Sequence, residues 1–307
     1  MSHSSPLLVT GIHRGSTSWV GRMLAASGGL TYANEPLSVS HRRGVLGVEV
    51  KHWYTYVNAE NEVQFLPAFQ RLLDLRYQTF KEIPTIRSVK DILRMGRDFT
   101  SFTEGRLRGN RVLLKDPFAS FSTPWFADRL GCQVVIAIRH PAAFVSSLKR
   151  LNWPFQIEDL LVQPMLMRDY LERDRAAFES IGADDVIGRA CLLWTALYRT
   201  IHETLQTRTD LITVRHEDLS LNPVQGFREL YQKLGYEFTP AAEEAVVNSS
   251  SSENPTKLAQ NKTHSVKLDS RANLNNWKKI LTAEEVTRIR KMTEGVSEFF
   301  YSDEEWK

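Results

Sequence analysis

The sequence is poor in cysteine and has no long apolar run. Its two cysteines, Cys132 and Cys191, are too few and too far apart for a disulfide framework or a metal-binding knuckle, and they favour a reducing compartment. No stretch approaches the roughly 18 apolar residues of a membrane span. The apolar stretch at 7–9 is too short for a secretory signal. We therefore expect a cytoplasmic protein without a transmembrane segment.

An excess of one charge is also missing. The net charge is +3, and the basic and acidic residues are scattered along the chain. A nucleic-acid-binding surface is therefore not expected, whereas local basic pockets for small anions remain compatible with this balance. With 307 residues, 42% of them hydrophobic, the chain can bury one large core. We expect a single domain over residues 1–307.

Short apolar runs alternate with helical patterns along the chain. Runs typical of buried strands lie at 7–9, 112–114, 134–138 and 211–214. Apolar residues recur at the three-to-four spacing of helices over 20–26, 87–107, 165–178, 187–205, 223–234 and 283–299. Thr282 and Glu285 predict a capping box at the start of the last of these helices. The alternation predicts an α/β fold with a P-loop-kinase-like central parallel sheet flanked by helices.

The first motif is a strand, a polar turn and a helix within LLVTGIHRGSTSWVGRML at 7–24. Backbone N–H groups in such a turn and at the following helix N-terminus attract anions. The candidate anion-binding residues of the turn are Arg14, Gly15, Ser16, Thr17, Ser18 and Trp19. No Lys-Ser/Thr pair follows the turn, as a nucleotide triphosphatase loop would require. The alternative is a polar strand-to-helix turn with the indole packed in the core.

The second motif is VVIAIRHPAAFVSSLKR at 134–150. Arg139 follows a buried strand, at the sheet edge where open α/β folds bind ligands, and Pro141 starts a helix that carries Ser147. We interpret Arg139 and Ser147 as a second anion-binding pair, separate from the first. The alternative is a surface charge at a helix start.

Together, HRGSTSW and IRHPAAFVSSLKR resemble the cofactor-binding motifs of the sulfotransferase family, in particular its bacterial and carbohydrate-directed branches. These enzymes use 3'-phosphoadenosine 5'-phosphosulfate (PAPS). The resemblance implies that the first loop holds the 5'-phosphosulfate and that Arg139 and Ser147 hold the 3'-phosphate. Arg14 stands where cytosolic members commonly have lysine. The family's C-terminal Arg-Lys-Gly cluster is absent, and Lys267 and Arg271 are the candidates to replace it.

Two further stretches supply candidates for catalysis. YANEPLS at 32–38 resembles the Glu-Pro stretch of carbohydrate and tyrosyl-protein sulfotransferases, which implies that Glu35 is the general base. LLKDPFASF at 113–121 places Lys115 and Asp116 at a strand end. Lys115 and Arg14 are expected to neutralise the charge on the departing 5'-phosphate oxygen, and Asp116 to orient Lys115 or a substrate hydroxyl. A structural Lys-Asp ion pair is the alternative, and His52 is the reserve candidate for the base.

These features predict an O-sulfotransferase that moves a sulfuryl group from PAPS to an acceptor hydroxyl and releases 3',5'-adenosine bisphosphate. No metal is expected, because a sulfuryl group carries less charge than a phosphoryl group and arginine with backbone donors can stabilise its transfer. The alternatives are a P-loop kinase that uses ATP and a non-catalytic nucleotide-binding protein of the same fold.

The acceptor stays open between a carbohydrate, a glycolipid and a small molecule. The Glu-Pro stretch favours a sugar hydroxyl, whereas an apolar or phenolic molecule would suit the aromatic residues Phe65, Phe69, Trp153 and Phe155. We expect the insertions at about 38–110 and 152–185 to form the acceptor pocket. The polar residues at about 248–270 are expected to form a flexible lid.

Overall fold

A five-stranded parallel sheet forms the centre of the protein. The computed structural model describes residues 5–251, 253–255 and 269–307. The strand order is β2-β3-β1-β4-β5, and every neighbouring pair is parallel. The strands are β1 (Leu7–Gly11), β2 (Leu30–Asn34), β3 (Arg111–Lys115), β4 (Gln133–Ile138) and β5 (Ile212–Arg215). The expected α/β fold with a central parallel sheet is confirmed.

Helices connect the strands and cover the sheet. They are α1 (Thr17–Ala25), α2 (Glu62–Leu73), α3 (Thr79–Glu82), α4 (Val89–Leu107), α5 (Thr123–Leu130), α6 (Pro141–Leu151), α7 (Glu158–Leu161), α8 (Pro164–Leu166), α9 (Arg175–Ser180), α10 (Val186–Leu205), α11 (His216–Leu221), α12 (Pro223–Lys233), α13 (Pro240–Ser250), α14 (Ser270–Leu274) and α15 (Ala283–Ser297). The predicted capping box of α15 is present between Thr282 and Glu285. None of the described helices is long and apolar enough to cross a membrane.

The strands bury side chains on both faces of the sheet, as parallel strands covered by helices do. Because successive side chains point to opposite faces, Leu7 and Val9 pack in the cluster with residues of α1, α12 and α13. Leu8 belongs to the larger cluster, with residues of α2, α5, α6 and α10. The sheet is thus the middle of three layers, and the carboxyl ends of all five strands share one edge.

Two segments differ from the sequence prediction. Residues 165–178 are not one helix: α8 runs into a π-helical turn at Met167–Leu171 and a 3-10 turn before α9 begins. Leu166 and Leu171 are both buried, and their five-residue spacing suits a π turn rather than an α-helix.

The start of the expected lid is also helical, because α13 continues to Ser250. Ser249 is buried there and its hydroxyl accepts a hydrogen bond from Trp19 Nε1 at 2.9 Å. Most of the remaining lid, including Lys267, lies outside the described residues.

Candidate active site

The loop between β1 and α1 turns tightly and starts at a close contact with the backbone of β4. Gly11 has a φ of 141°, and a Cβ atom there would lie 2.3 Å from the carbonyl oxygen of Ala137 on β4, so only glycine fits. Arg14 and Ser16 also have positive φ, and the Gly15 N–H donates to Ile12 O at 2.9 Å. Ser16 makes no side-chain capping bond to α1. The first N–H groups of that helix therefore lie beside a tightly turned loop, an arrangement that suits an anion.

Three arginines and a serine meet beside this loop. Arg14 Nε donates to Ser147 Oγ at 3.1 Å, and Arg139 Nη1 donates to the Arg14 carbonyl oxygen at 2.5 Å. Burial, together with the positive charges of Arg139 and Arg150, lowers the pKa of Arg14 to about 10. The buried Arg139 Nε and Arg150 Nη2 have no hydrogen-bond partner within the residues described. We call Arg14, Arg139, Ser147 and Arg150 the arginine cluster.

Two buried donors of the cluster, Arg139 Nε and Arg150 Nη2, lack acceptors within the described residues, and three guanidinium groups lie together. Burial also lowers the pKa of Arg139, although the nearby carboxylate of Glu217 acts in the opposite direction. Buried donors without acceptors are costly, and so are buried charges without partners. A bound anion with several oxygens would supply both the acceptors and the compensating charge.

The structure differs from the sequence expectation of two separate anion-binding pairs. Arg14 belongs to the first motif, and Arg139 and Ser147 to the second, yet all three are in contact. The reason is the strand order: β1 and β4 are neighbours, so the segments that follow them leave the sheet side by side. Arg150 joins them from the last turn of α6. In the sequence, Arg150 lies three residues after Ser147 on the same predicted helix, and this spacing indicates that the two side chains share a helix face.

Glu35 and Lys115 form an ion pair at the same sheet edge. Lys115 ends β3 with only 1% of its surface exposed, and its Nζ donates to Glu35 Oε1. Glu35 follows β2, has a φ of 49°, and donates its N–H to the Lys115 carbonyl oxygen at 2.7 Å. The ammonium is thus buried, while the carboxylate keeps 28% of its surface exposed. The pair offers a buried positive charge and an accessible proton acceptor next to each other.

Asp116 fixes the backbone beside this pair. Its carboxylate accepts the N–H of Leu37 at 2.5 Å and the N–H of Phe118 at 3.0 Å. Complete burial and the nearby carboxylate of Glu35 raise the pKa of Asp116 to about 7, against the effect of these two hydrogen bonds. Asp116 therefore ties the turn after Glu35 to the turn after β3. This contact with backbone amides replaces the expected Lys-Asp pairing.

His13 is a residue of this region that the sequence did not indicate. Its Nδ1 lies 2.7 Å from the Tyr54 hydroxyl, which also accepts the His13 backbone N–H. The rings around it belong to Trp53, Tyr54, Phe118, Phe144, Trp153 and Phe155. Burial and the positive charge of Arg14 lower the pKa of His13 to about 3, so the imidazole is neutral. Since the Tyr54 oxygen already accepts one bond, its O–H is free to donate to Nδ1.

The four aromatic residues expected in the acceptor pocket, Phe65, Phe69, Trp153 and Phe155, do not form one group. Phe69 packs against Trp125 and Phe126 of α5, and Phe65 is buried in the same core. Trp153 and Phe155 instead lie against His13. A cavity of about 380 Å³ is also lined by both insertions, with His52, Thr55 and Tyr56 on one side and residues 162–166 on the other.

The remaining candidates lie outside the centre of the site. His52 lines that cavity, with its Nδ1 3.5 Å from Asp159 Oδ1. Trp19 packs edge-on against His216 and Phe227.

Arg271 also lies apart from the arginine cluster. Its Nε and Nη2 both donate to the Leu221 carbonyl oxygen, at 2.9 and 2.7 Å, so it caps the end of α11. Among the described residues, no group of three or more His, Cys, Asp or Glu side chains is arranged to hold a metal ion.

Comparisons with known proteins found structural neighbours only. No protein-family model and no curated protein matches the sequence. The chain is similar to the sulfotransferase domain from the curacin biosynthetic pathway, with 15% identity, a TM-score of 0.46, and coverage of 97% of this chain and 98% of that chain. Six of its structural neighbours are sulfotransferases or sulfotransferase domains.

Two more of these neighbours come from named organisms. The sulfotransferase domain of the Synechococcus PCC 7002 olefin synthase is 14% identical, with a TM-score of 0.47 and coverage of 99% of this chain and 98% of that chain. Mouse sulfotransferase SULT7A1, complexed with PAP, is 10% identical, with a TM-score of 0.43 and coverage of 99% and 88%. With identities of 10–15% and TM-scores below 0.5, this likeness assigns no activity to the chain.

Proposed function

We propose that the chain is a PAPS-dependent O-sulfotransferase. One observation carries the proposal: the arginine cluster beside the β1–α1 loop and the Glu35–Lys115 pair lie at the same edge of the sheet. Arg139 Nε and Arg150 Nη2 fit a ligand with anionic oxygens, because both are buried donors that lack an acceptor in the described residues. The resemblance of the two sequence motifs to those of the sulfotransferase family supports PAPS as that ligand.

Residues of the loop and the cluster would hold the nucleotide. Arg14, Arg139, Ser147 and Arg150 supply guanidinium and hydroxyl donors, and the start of α1 supplies backbone N–H groups. When bound, PAPS supplies a sulfuryl group to an oxygen of the acceptor and leaves as 3',5'-adenosine bisphosphate. Because Arg14 contacts Ser147 directly, we assign these residues to one shared nucleotide site.

Glu35 and Lys115 have complementary roles in this proposal. Glu35 is the general base: its partly exposed carboxylate takes the proton of the acceptor hydroxyl as the new oxygen–sulfur bond forms. Lys115 keeps the carboxylate in place and offers a buried positive charge for the departing phosphate oxygen. Asp116 is a positioning residue, since its carboxylate holds the backbone on both sides of the pair.

The acceptor in this proposal is a hydroxyl of a carbohydrate, a glycolipid or a small molecule. Trp53 and Trp153, both partly exposed, present flat apolar ring faces next to His13. Such faces suit a sugar ring as well as a phenolic ring. We propose that the insertions at 38–110 and 152–185 shape this pocket within a single domain over 1–307. The reducing cytoplasm suits the free, buried Cys132 and Cys191.

A thermal-shift measurement with nucleotides tests the proposal first. We expect 3',5'-adenosine bisphosphate to raise the melting temperature, because a ligand that binds only the folded state stabilises it. ATP with magnesium and 5'-AMP are the comparison ligands, which lack a 3'-phosphate. An acceptor screen with sulfur-labelled PAPS then tests turnover. Stabilisation by ATP with magnesium alone would favour a kinase, and nucleotide binding without label transfer to any acceptor would favour a non-catalytic protein.

A further inference from the structure

The first half of α4 and the segment before it expose large apolar side chains. These residues are Phe80, Ile83, Val89, Ile92 and Leu93, with exposed fractions of 90%, 50%, 73%, 50% and 69%. We call these five residues the α4 outer face. Single exposed apolar residues are ordinary, but five of them within residues 80–93, on helices α3 and α4 that contact each other and on the turn between them, favour an interaction site.

The geometry of α4 shows that this surface faces away from the protein. On the inner side Phe102 and Gly105 are buried, and a Cβ atom at Gly105 would lie 2.0 Å from Thr31 Oγ1 of β2. Val89, Ile92 and Leu93 have the i, i+3, i+4 spacing of a second stripe on the opposite side. The helix therefore carries two apolar stripes, of which only the inner one is covered.

The charges next to the outer face are mostly positive. Residues 79–108 contain seven basic and four acidic residues. Each acidic residue has a partner. Glu82 is buried and paired with Arg42, and Asp91 accepts the Ser88 hydroxyl and lies 3.7 Å from Arg94. Asp98 pairs with Arg97 and Glu104 with Arg108, so the segment keeps an excess of three positive charges. Lys90, Arg94 and Arg97 lie on adjacent turns of the same flank and are exposed.

We propose that the α4 outer face binds the surface of an anionic lipid bilayer. An apolar stripe beside a basic row on one helix is the arrangement of helices that lie in the membrane interface. The apolar side chains enter the boundary between headgroups and acyl chains, and the lysine and arginines contact the anionic headgroups. This inference does not depend on the proposed sulfuryl transfer.

The shape and charge of the surface favour a bilayer over a second copy of the chain. Ten of the thirteen residues at 89–101 are exposed and none is buried, so this half of α4 is a projecting ridge rather than a groove for a peptide. Pairing with a second copy through the same face would bring two basic flanks together, and like charges repel. A flat anionic surface meets the apolar and the basic side chains at once.

Vesicle co-sedimentation of the full chain tests the proposal. We expect binding to vesicles of phosphatidylcholine mixed with phosphatidylglycerol, weaker binding at high salt, and little binding to phosphatidylcholine alone. The double variant Phe80→Ser/Leu93→Ser should reduce partitioning at least about tenfold through lost apolar burial. The triple variant Lys90→Gln/Arg94→Gln/Arg97→Gln should reduce it roughly a hundredfold. Matched controls are Val63→Ser, which is 83% exposed on α2, and Lys291→Gln, which is exposed on α15.

Circular dichroism and the unfolding midpoint establish that each variant is folded, and the substituted side chains are exposed, so the fold should tolerate them. Failure of the unmodified chain to bind the mixed vesicles would overturn the proposal. Equal binding by the α4 variants and the two controls would also overturn it. Light scattering tests whether the α4 outer face instead binds a second copy of the chain. That assignment would follow if the unmodified chain forms a dimer but does not bind vesicles, and if the Phe80→Ser/Leu93→Ser variant is a monomer.

Discussion

The carboxylate of Glu35 and the ammonium of Lys115 are joined across two neighbouring strands. β2 and β3 pair so that Asn34 lies opposite Lys115, and Glu35 is one residue further on. The lysine is almost fully buried, so removing its partner would leave a buried charge uncompensated. The pair is therefore both a structural element of the sheet edge and the proposed centre of proton transfer.

Replacing Glu35 by Gln should affect turnover far more than nucleotide binding. Glutamine keeps an acceptor for Lys115 Nζ but cannot take the proton of the acceptor hydroxyl. We expect kcat to fall by about a hundredfold or more, with the KM for PAPS changed little. Steady-state kinetics with a labelled donor measures both. Glu60→Gln, on the surface beside Arg168, is the control, and normal turnover in Glu35→Gln would remove Glu35 from the mechanism.

Replacing Arg139 by Ala should weaken the nucleotide site. Arg139 has a buried Nε without an acceptor within the described part of the chain. Loss of a charge-assisted hydrogen bond costs about 1.5–3 kcal/mol, so the KM for PAPS should rise by roughly ten- to a hundredfold. Titration with 3',5'-adenosine bisphosphate measures the corresponding loss of nucleotide affinity as a change in Kd.

Arg271→Ala is the matched control for this prediction. Its guanidinium donates to the Leu221 carbonyl oxygen instead of joining the arginine cluster. We therefore expect unchanged nucleotide affinity. A loss equal to that of Arg139→Ala would place Arg271 in the nucleotide site, as the sequence first suggested.

The strands and the strand-end residues could be predicted from the sequence because the signal is local. Four of the five strands contain a short apolar run, and Lys115 and Arg139 each follow one directly. The exception is β2, LTYAN, and the signal for Glu35 is the Glu-Pro stretch that follows this strand. The order of the strands is a property of the whole chain and left no local signal. For that reason the contact of Arg14 with Ser147 was not foreseen, although each residue had been identified in its own motif.

The surroundings of His13 also depend on contacts between distant parts of the sequence. Its partners Tyr54 and Trp153 are distant in the sequence, and nothing at position 13 indicates that the ring is buried. A histidine next to an arginine in a polar loop looks like a surface residue. The two insertions supply four of the six rings around His13, and the burial that lowers its pKa comes from this packing over the loop.

Replacing Tyr54 by Phe should destabilise the protein through His13. The Tyr54 hydroxyl serves both the backbone N–H and the Nδ1 of His13, and its removal leaves two buried polar groups without that partner. We expect a loss of about 2 kcal/mol in the free energy of unfolding, measured by urea denaturation. The control is Tyr236→Phe, because the buried Tyr236 hydroxyl has no hydrogen-bond partner in the described residues. Equal effects of the two substitutions would contradict the assigned role of the hydroxyl.

Replacing Asp116 by Asn should change how stability depends on pH. Burial raises the pKa of Asp116 from 3.8 to about 7, so between these values the folded protein keeps a proton that the unfolded chain has released. Stability due to this group therefore falls as the pH rises from about 4 to 7, by up to about 4 kcal/mol. Burial lowers the pKa of His13 and of His216 to about 3. These two histidines make stability rise with pH, and they do so equally in the unmodified chain and in the Asn variant. The difference between the urea-unfolding free energies of the two proteins should thus isolate the contribution of Asp116. We expect the stability of the Asn variant to increase relative to that of the unmodified chain as the pH rises. The lost hydrogen-bond acceptor adds an offset that does not change with pH. Parallel curves across this range would show that Asp116 is already ionised in the folded state.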